Sequence, residues 1–145
     1  MRTIPPLPDW TSGFESVRMD ISVSPRPEEE NGMSDCIFCK IIEGSLPSTK
    51  VYEDEQVLAF RDIQPAAPVH VLIIPKKHIP TMNDVRDEDG AAIAAIFAAA
   101  RRIAKELGVD ESGYRLVNNV NADGGQIVYH LHIHLLGGQK LGAIG

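Results

Sequence analysis

Three histidines stand at alternate positions, His130, His132 and His134, with Leu131, Ile133 and Leu135 after them in turn. Side chains of an extended strand alternate, so the imidazoles share one face and the aliphatic residues the other. One face packs and the other is left for chemistry. Imidazoles about 7 Å apart along a strand do not reach one another, so each needs a metal, a backbone carbonyl or an anionic substrate as partner. Metal binding and nucleophilic catalysis both fit, because neutral imidazole is a ligand and a nucleophile near pH 7. Asp123-Gly124-Gly125-Gln126 ends three residues before the row, where glycines allow backbone N–H groups to turn toward an anion. Amides beside a row of imidazoles predict a phosphate-sized pocket. Cys36 and Cys39 form a second pattern, the C-x-x-C spacing by which two thiolates from one turn reach the same ion. Two ligands do not complete a tetrahedral site, so two more are required. A redox pair and two buried thiols are the rival readings, but no thioredoxin-type βαβ pattern surrounds these cysteines.

The chain must supply elements that bring these groups together. Its 145 residues, 43% hydrophobic and 23% charged, are enough for one domain with a tail and too few for two full-sized domains. Fourteen Lys and Arg against 20 Asp and Glu give a net charge of -6, which disfavours nucleic-acid binding by a general basic face. Two cysteines allow at most one disulfide, and a domain of this size does not need one. No apolar run approaches the roughly 20 residues of a membrane span, and MRTIPPLPDW lacks the order of a secretory signal. The expectation is a cytoplasmic protein with reduced thiols that binds neither nucleic acid nor membrane.

Residues 1–32 hold five of the ten prolines and the run Glu28-Glu29-Glu30, and read as a flexible extension. A short docking helix through Trp10, Phe14, Val17 and Ile21 is the other reading. From Cys36 the spacing of Ile37, Phe38, Ile41 and Ile42 predicts a short helix with one buried face, ended by Gly44. Val51 to Glu53 and Gln56 to Ile63 predict a hairpin, and the unbroken run Val69 to Ile74 a central strand. A long helix is predicted from about Asp87 to Leu107, capped by Asp84 or Asp87 and stopped at Gly108. Its apolar face is Ile93, Ile96, Phe97, Ala100, Ile103, Ala104 and Leu107. Tyr114 to Asn119 and Val128 to Leu136 complete an α+β domain with an antiparallel sheet.

The segment Gly124-Gly125-Gln126-Ile127-Val128-Tyr129-His130-Leu131-His132-Ile133-His134-Leu135-Leu136 resembles the signature of the histidine-triad (HIT) nucleotide-binding hydrolases. The resemblance extends to Cys36-Ile37-Phe38-Cys39-Lys40-Ile41-Ile42, Leu58-Ala59-Phe60-Arg61-Asp62-Ile63 and Ile74-Pro75-Lys76-Lys77-His78-Ile79. It follows the Hint-like branch, the purine nucleoside phosphoramidases, over about residues 33–138. It implies a HIT domain at 33–145 with a five-stranded antiparallel sheet, a long helix, a short N-terminal helix and a two-fold homodimer.

By that resemblance His132 is the nucleophile toward the α-phosphorus of a purine nucleoside 5'-phosphoramidate or adenylated amine, forming a nucleotidyl-histidine that water hydrolyses. His134 would lie beside the phosphate, and His70 would orient the nucleophile. Backbone N–H groups near Gly125, Gln126 and Ile127 would hold phosphate oxygens, and Asn119 would line their pocket. Asp62 would accept from the ribose hydroxyls, and Phe38, Ile41, Phe60 and Ile63 would form the purine slot. Relatives carrying C-x-x-C imply a structural Zn2+ held by Cys36, Cys39, His78 and His130. Two rivals are a dinucleoside polyphosphate hydrolase of the Fhit-like branch and a zinc-stabilised nucleotide- or partner-binding module with vestigial catalysis. Ile127 departs from the pattern, since relatives often place Ser, Thr or Glu there; the tail also lacks the tryptophan found near the end of some relatives. The expectation is weaker or differently selective activation of the leaving group.

Overall fold

The computed structural model describes residues 35–144. The readings of residues 1–32 lie outside the described residues. In chain order the elements are α1 (Ile37–Glu43), β1 (Lys50–Glu53), β2 (Val57–Arg61), β3 (Val69–Pro75), α2 (Gly90–Glu106), β4 (Tyr114–Val117) and β5 (Ile133–Gly137). The five strands form one sheet in the order β1-β2-β3-β5-β4, and every neighbouring pair is antiparallel. The α+β expectation is borne out, with β3 central as its unbroken apolar run predicted.

Alternation divides the core. Val57, Ala59, Val71, Ile73, Leu131, Ile133 and Leu135 pack with Ile96, Ala99, Ala100, Ile103 and Ala104 of α2. Leu58, Phe60, Leu72 and Ile74 of the same strands pack with Phe38 of α1 in a separate cluster. One sheet face therefore carries the long helix, and the other is left to α1 and the histidines. Among the described residues no helix is long and apolar enough to cross a membrane.

Several boundaries differ from the sequence reading. β5 begins at Ile133, not Val128. Its register pairs Ile73 with Ile133, so Pro75 would face Leu131 next, but proline has no N–H to give. The Pro75 carbonyl instead accepts from His130 Nε2 at 2.8 Å. The ladder stops there, although Leu131 stays in the core under α2 while the histidines point to the other face, which keeps the alternation. β2 likewise ends at Arg61, two residues short of Ile63. Before α2 the chain makes two short 3-10 turns, Met82–Asp84 and Asp87–Asp89, so the helix starts at Gly90. Thr81 caps the first turn, with Asp84 accepting in return from the Thr81 amide, and Asp89 spends its carboxylate on the Arg86 amide at 2.9 Å and on Lys77 Nζ at 2.6 Å. Phe97 is 50% exposed rather than buried, because it stands about 100° round the helix from Ile96. Ile37 of α1 is exposed too, at 46%.

The β1–β2 turn is tied by Asp54. Its Oδ1 accepts from the Gln56 and Val57 amides at 2.7 and 2.9 Å, and its Oδ2 from the Tyr52 hydroxyl at 2.8 Å. Burial raises the Asp54 pKa, but these donors prevail and hold it below the ordinary carboxylate value. Asp54→Ala removes a cap of about 1 kcal/mol and should lower Tm by about 4 °C at pH 7. The stabilisation is complete above the unfolded value near ~3.9 and is lost as pH falls through the lower folded value. Thermal unfolding of both proteins at pH 7 and pH 2.5 checks this, the difference shrinking at the lower pH.

Candidate functional site

A cavity of about 550 Å³ opens on the sheet face opposite α2. Phe38 and Ile41 from α1, Phe60, Asp62 and Ile63 from the end of β2, and Leu72 from β3 line one part. Asn119, Gly125, Ile127, His132 and His134 line the other. Of the sequence-predicted nucleotide-binding residues only Gln126 is not among the lining residues. The rings of Phe38 and Phe60 meet edge-on with centroids 5.5 Å apart, and Phe38 meets His132 at 5.1 Å. An apolar, aromatic part of the cavity thus adjoins a part rich in imidazole. Leu46 and Pro47, in the loop after α1, also line it; no spacing in the sequence distinguishes them from ordinary loop residues.

Hydrogen bonds fix the state of each imidazole. His132 Nδ1 lies 2.7 Å from the His130 carbonyl oxygen, which can only accept, so Nδ1 carries the hydrogen and Nε2 keeps its lone pair. The Ala66 amide donates to His70 Nδ1 at 2.9 Å. Neutral His70 therefore carries its hydrogen on Nε2, which lies 2.9 Å from His134 Nδ1. His134 accepts at Nδ1 and holds its hydrogen on Nε2. One histidine presents a nucleophilic lone pair and its neighbour a donor, with ring centroids 5.0 Å apart. Burial lowers the pKa of His132 and of His70, and with the neighbouring His132 and His70 it holds His134 down at about 4. All three are neutral at pH 7, the state a nucleophilic imidazole requires.

The adjacent strand takes part in this arrangement. The partners of the triad include another imidazole, supplied by the adjacent strand, which the spacing along one strand does not reveal. His70 contacts His134 and, at 3.5 Å, Asp62 Oδ2, so its hydrogen bond within the row goes to His134. Asp62, His70 and His134 also lie close enough to hold a cation, with donor atoms within 4.8 Å of one another. The Ala66 amide decides against that use, because it leaves His70 Nε2 protonated without a lone pair to offer.

The glycine turn is built for closure as much as for anions. A Cβ on Gly124 would meet the Val120 carbonyl oxygen at 2.5 Å, and Gly125 has φ +85°, so both positions require glycine. The Gly125 amide donates to the Ala122 carbonyl and the Gln126 amide to that of Asn121, each at 3.0 Å. Among the described residues none accepts from the Ile127 amide, and Ile127 is 89% exposed at the cavity. Of the three amides expected to face an anion, Ile127 alone retains a free N–H. Asn118 donates from Nδ2 to the His132 carbonyl at 3.0 Å and braces the strand where the ladder has ended.

Beside the cavity, Cys36, Cys39, His78 and His130 converge with donor atoms all within 4.8 Å of one another. His130 Nδ1 lies 3.3 Å from Cys36 Sγ and 3.6 Å from Cys39 Sγ, and His78 Nδ1 lies 3.3 Å from Cys39 Sγ. A tetrahedral ion bonded at about 2.1 Å to nitrogen and about 2.3 Å to sulfur has such donors about 3.6 Å apart. The residues fit. The Pro75 carbonyl can only accept, so His130 Nε2 carries the hydrogen and Nδ1 faces the thiols as a lone pair. Burial, reinforced by Cys36, pushes the Cys39 thiol up to about 12, so a thiolate there needs a cation beside it.

Gln126 closes the turn from inside. Its Oε1 accepts from the Asn121 amide at 2.9 Å, and its Nε2 donates to the Pro80 and Val128 carbonyls at 2.8 and 3.0 Å. Gln126→Ala leaves three backbone groups without partners, a cost of about 2–3 kcal/mol. Tm should fall by about 10 °C; a change under about 2 °C in a thermal melt would exclude the bracing role.

The HIT domain family matches residues 43–141. The purine nucleoside phosphoramidase of Escherichia coli (strain K12) is 54% identical over 106 residues, which cover 73% of this chain and 89% of that protein. A HIT family hydrolase from Legionella pneumophila Philadelphia 1 has a similar crystal structure, with a TM-score of 0.72 at 57% identity over 73% of this chain and 95% of its own. A histidine triad protein from Clostridium difficile superposes with a TM-score of 0.74 at 50% identity, covering 77% of this chain and 96% of its own. With the imidazole row, the glycine turn and these relatives in agreement, the chain belongs to the HIT family.

Proposed function

We propose that the protein hydrolyses purine nucleoside 5'-phosphoramidates or related adenylated amines. The observation that carries the reading is the pair of opposed tautomers at the cavity, a free lone pair on His132 Nε2 beside a hydrogen on His134 Nε2. His132 Nε2 attacks the α-phosphorus, the bond from phosphorus to the amine nitrogen breaks, and the departing nitrogen takes its proton from water while His134 Nε2–H donates a hydrogen bond to it. The hydroxide so formed attacks the nucleotidyl-histidine, breaking the bond to Nε2 and releasing the nucleoside monophosphate. His70 keeps His134 in the donating tautomer. The Ile127 amide donates to a phosphate oxygen, with Asn119 and Gly125 beside it.

Phe38, Ile41, Phe60 and Ile63 enclose the purine, as an apolar slot suits a flat ring. Asp62 spends Oδ1 on the Gln64 amide at 2.8 Å, and a carboxylate retains further lone pairs for the ribose hydroxyls. The metal held by Cys36, Cys39, His78 and His130 is a structural Zn2+: four protein ligands close its coordination, and it supplies no open position for water. The working form is a cytoplasmic two-fold homodimer, by likeness to the family.

Two experiments test this reading. Rapid quenching of the reaction with an adenosine 5'-phosphoramidate should trap AMP covalently on His132, and His132→Ala should lose at least about 10³-fold in kcat while still binding AMP. Wild-type protein that neither turns over nor labels would refute the enzyme. Ile127→Ser, at an exposed position that tolerates polarity, should raise kcat/KM for the same substrate by supplying a hydroxyl to the leaving group; an unchanged or lower value would remove Ile127 as the cause of weak activation.

A further inference from the structure

The element beside the cavity that depends most on its surroundings is α1. Seven residues are too few for a helix to persist alone, since even about 12–15 are marginal in water. Only Phe38 and Cys39 of the seven are buried. Yet α1 forms a wall of the cavity through Ile37, Phe38 and Ile41, and the Phe38 ring lies against Phe60 and His132. Both thiols of the metal group belong to its first turn. Cys36 is the N-cap and its Sγ accepts from the Cys39 amide at 3.4 Å. The other two donors, His78 and His130, belong to segments that follow β3 and precede β5. His130 also carries the carbonyl that accepts from His132 Nδ1. The large core under α2 lies on the opposite sheet face and includes none of these groups.

We propose that metal occupancy positions the nucleotide slot: the Cys36, Cys39, His78 and His130 group fastens α1 to the sheet, and loss of the ion releases the slot wall while the sheet and α2 stay folded. The proposal rests on the reading of the cavity as a purine nucleotide site. Phe38 is then a positioning residue whose place depends on the two cysteines that flank it, and His130 positions His132 through its carbonyl. Nucleotide affinity becomes a function of metal supply.

The test uses the full chain, loaded with zinc or stripped by a chelator, with metal content measured in each. Hydrogen exchange reads α1 directly, because local opening exposes amides without global unfolding. Calorimetric titration with AMP reads the slot. Stripping should speed exchange at residues 37–43 while β2, β3 and β5 keep their protection. The AMP Kd should rise about tenfold if the slot is formed in about one molecule in ten. Zinc should restore both, and Cys39→Ser in excess zinc should reproduce the stripped state. An unchanged AMP Kd, unchanged exchange in α1, or loss of protection throughout the sheet would each overturn the proposal, the last because the ion would then support the whole fold. Failure of the zinc-loaded protein itself to bind AMP would refute the purine site and the proposal together, and is told apart because the loaded arm already fails.

Discussion

The hydrogen bond from His130 Nε2 to the Pro75 carbonyl, 2.8 Å long and buried, sets three features at once. It ends the β3–β5 ladder, where proline could not have continued it. It fixes His130 in the tautomer whose Nδ1 lone pair faces Cys36 and Cys39. It also holds the residue whose main-chain carbonyl accepts from His132 Nδ1. The candidate metal group and the proposed nucleophile thereby depend on one side chain, and the first histidine of the row serves both without lining the cavity.

Burial supplies the rest of the chemistry. Desolvation opposes the charged form of an imidazole, and it lowers the pKa of His70, His130, His132 and His134 alike. Four neutral rings can then share a small volume without mutual repulsion, each with a defined donor and acceptor side. The net charge of -6 is no obstacle to a phosphate ligand in such a place. A backbone amide and an imidazole N–H bind an anion through dipoles, so a basic patch is not needed.

The two faces of the sheet divide the labour. Against α2 the strands bury a continuous aliphatic layer with small alanines on the helix side, which fixes strand positions firmly. On the other face the cover is thin: a seven-residue helix and a loop of short-range turns. A site assembled there has a rigid floor, built from β3 and β5, and a wall whose order comes from a few specific tethers.

Much of this was legible in the sequence because it follows from local periodicity. Alternation of histidine and aliphatic residues at 130–135, the unbroken run of β3, the long amphipathic helix and Gly44 as the end of the short one all report constraints within a few residues. The motif resemblance brought Cys36, Cys39, His78 and His130 together on paper, and their residue types already named the chemistry. Tertiary structure decided what depends on groups distant in the chain. That His70 bonds His134, that Ala66 fixes its tautomer, that Asn118 braces His132, and that the Gly125 and Gln126 amides are consumed within their own turn are all matters of hydrogen-bond direction. Direction is set by where two backbones meet, and no spacing along a single segment records it. The sequence determined which side chains face the chemistry; the fold determined which nitrogen of each one does.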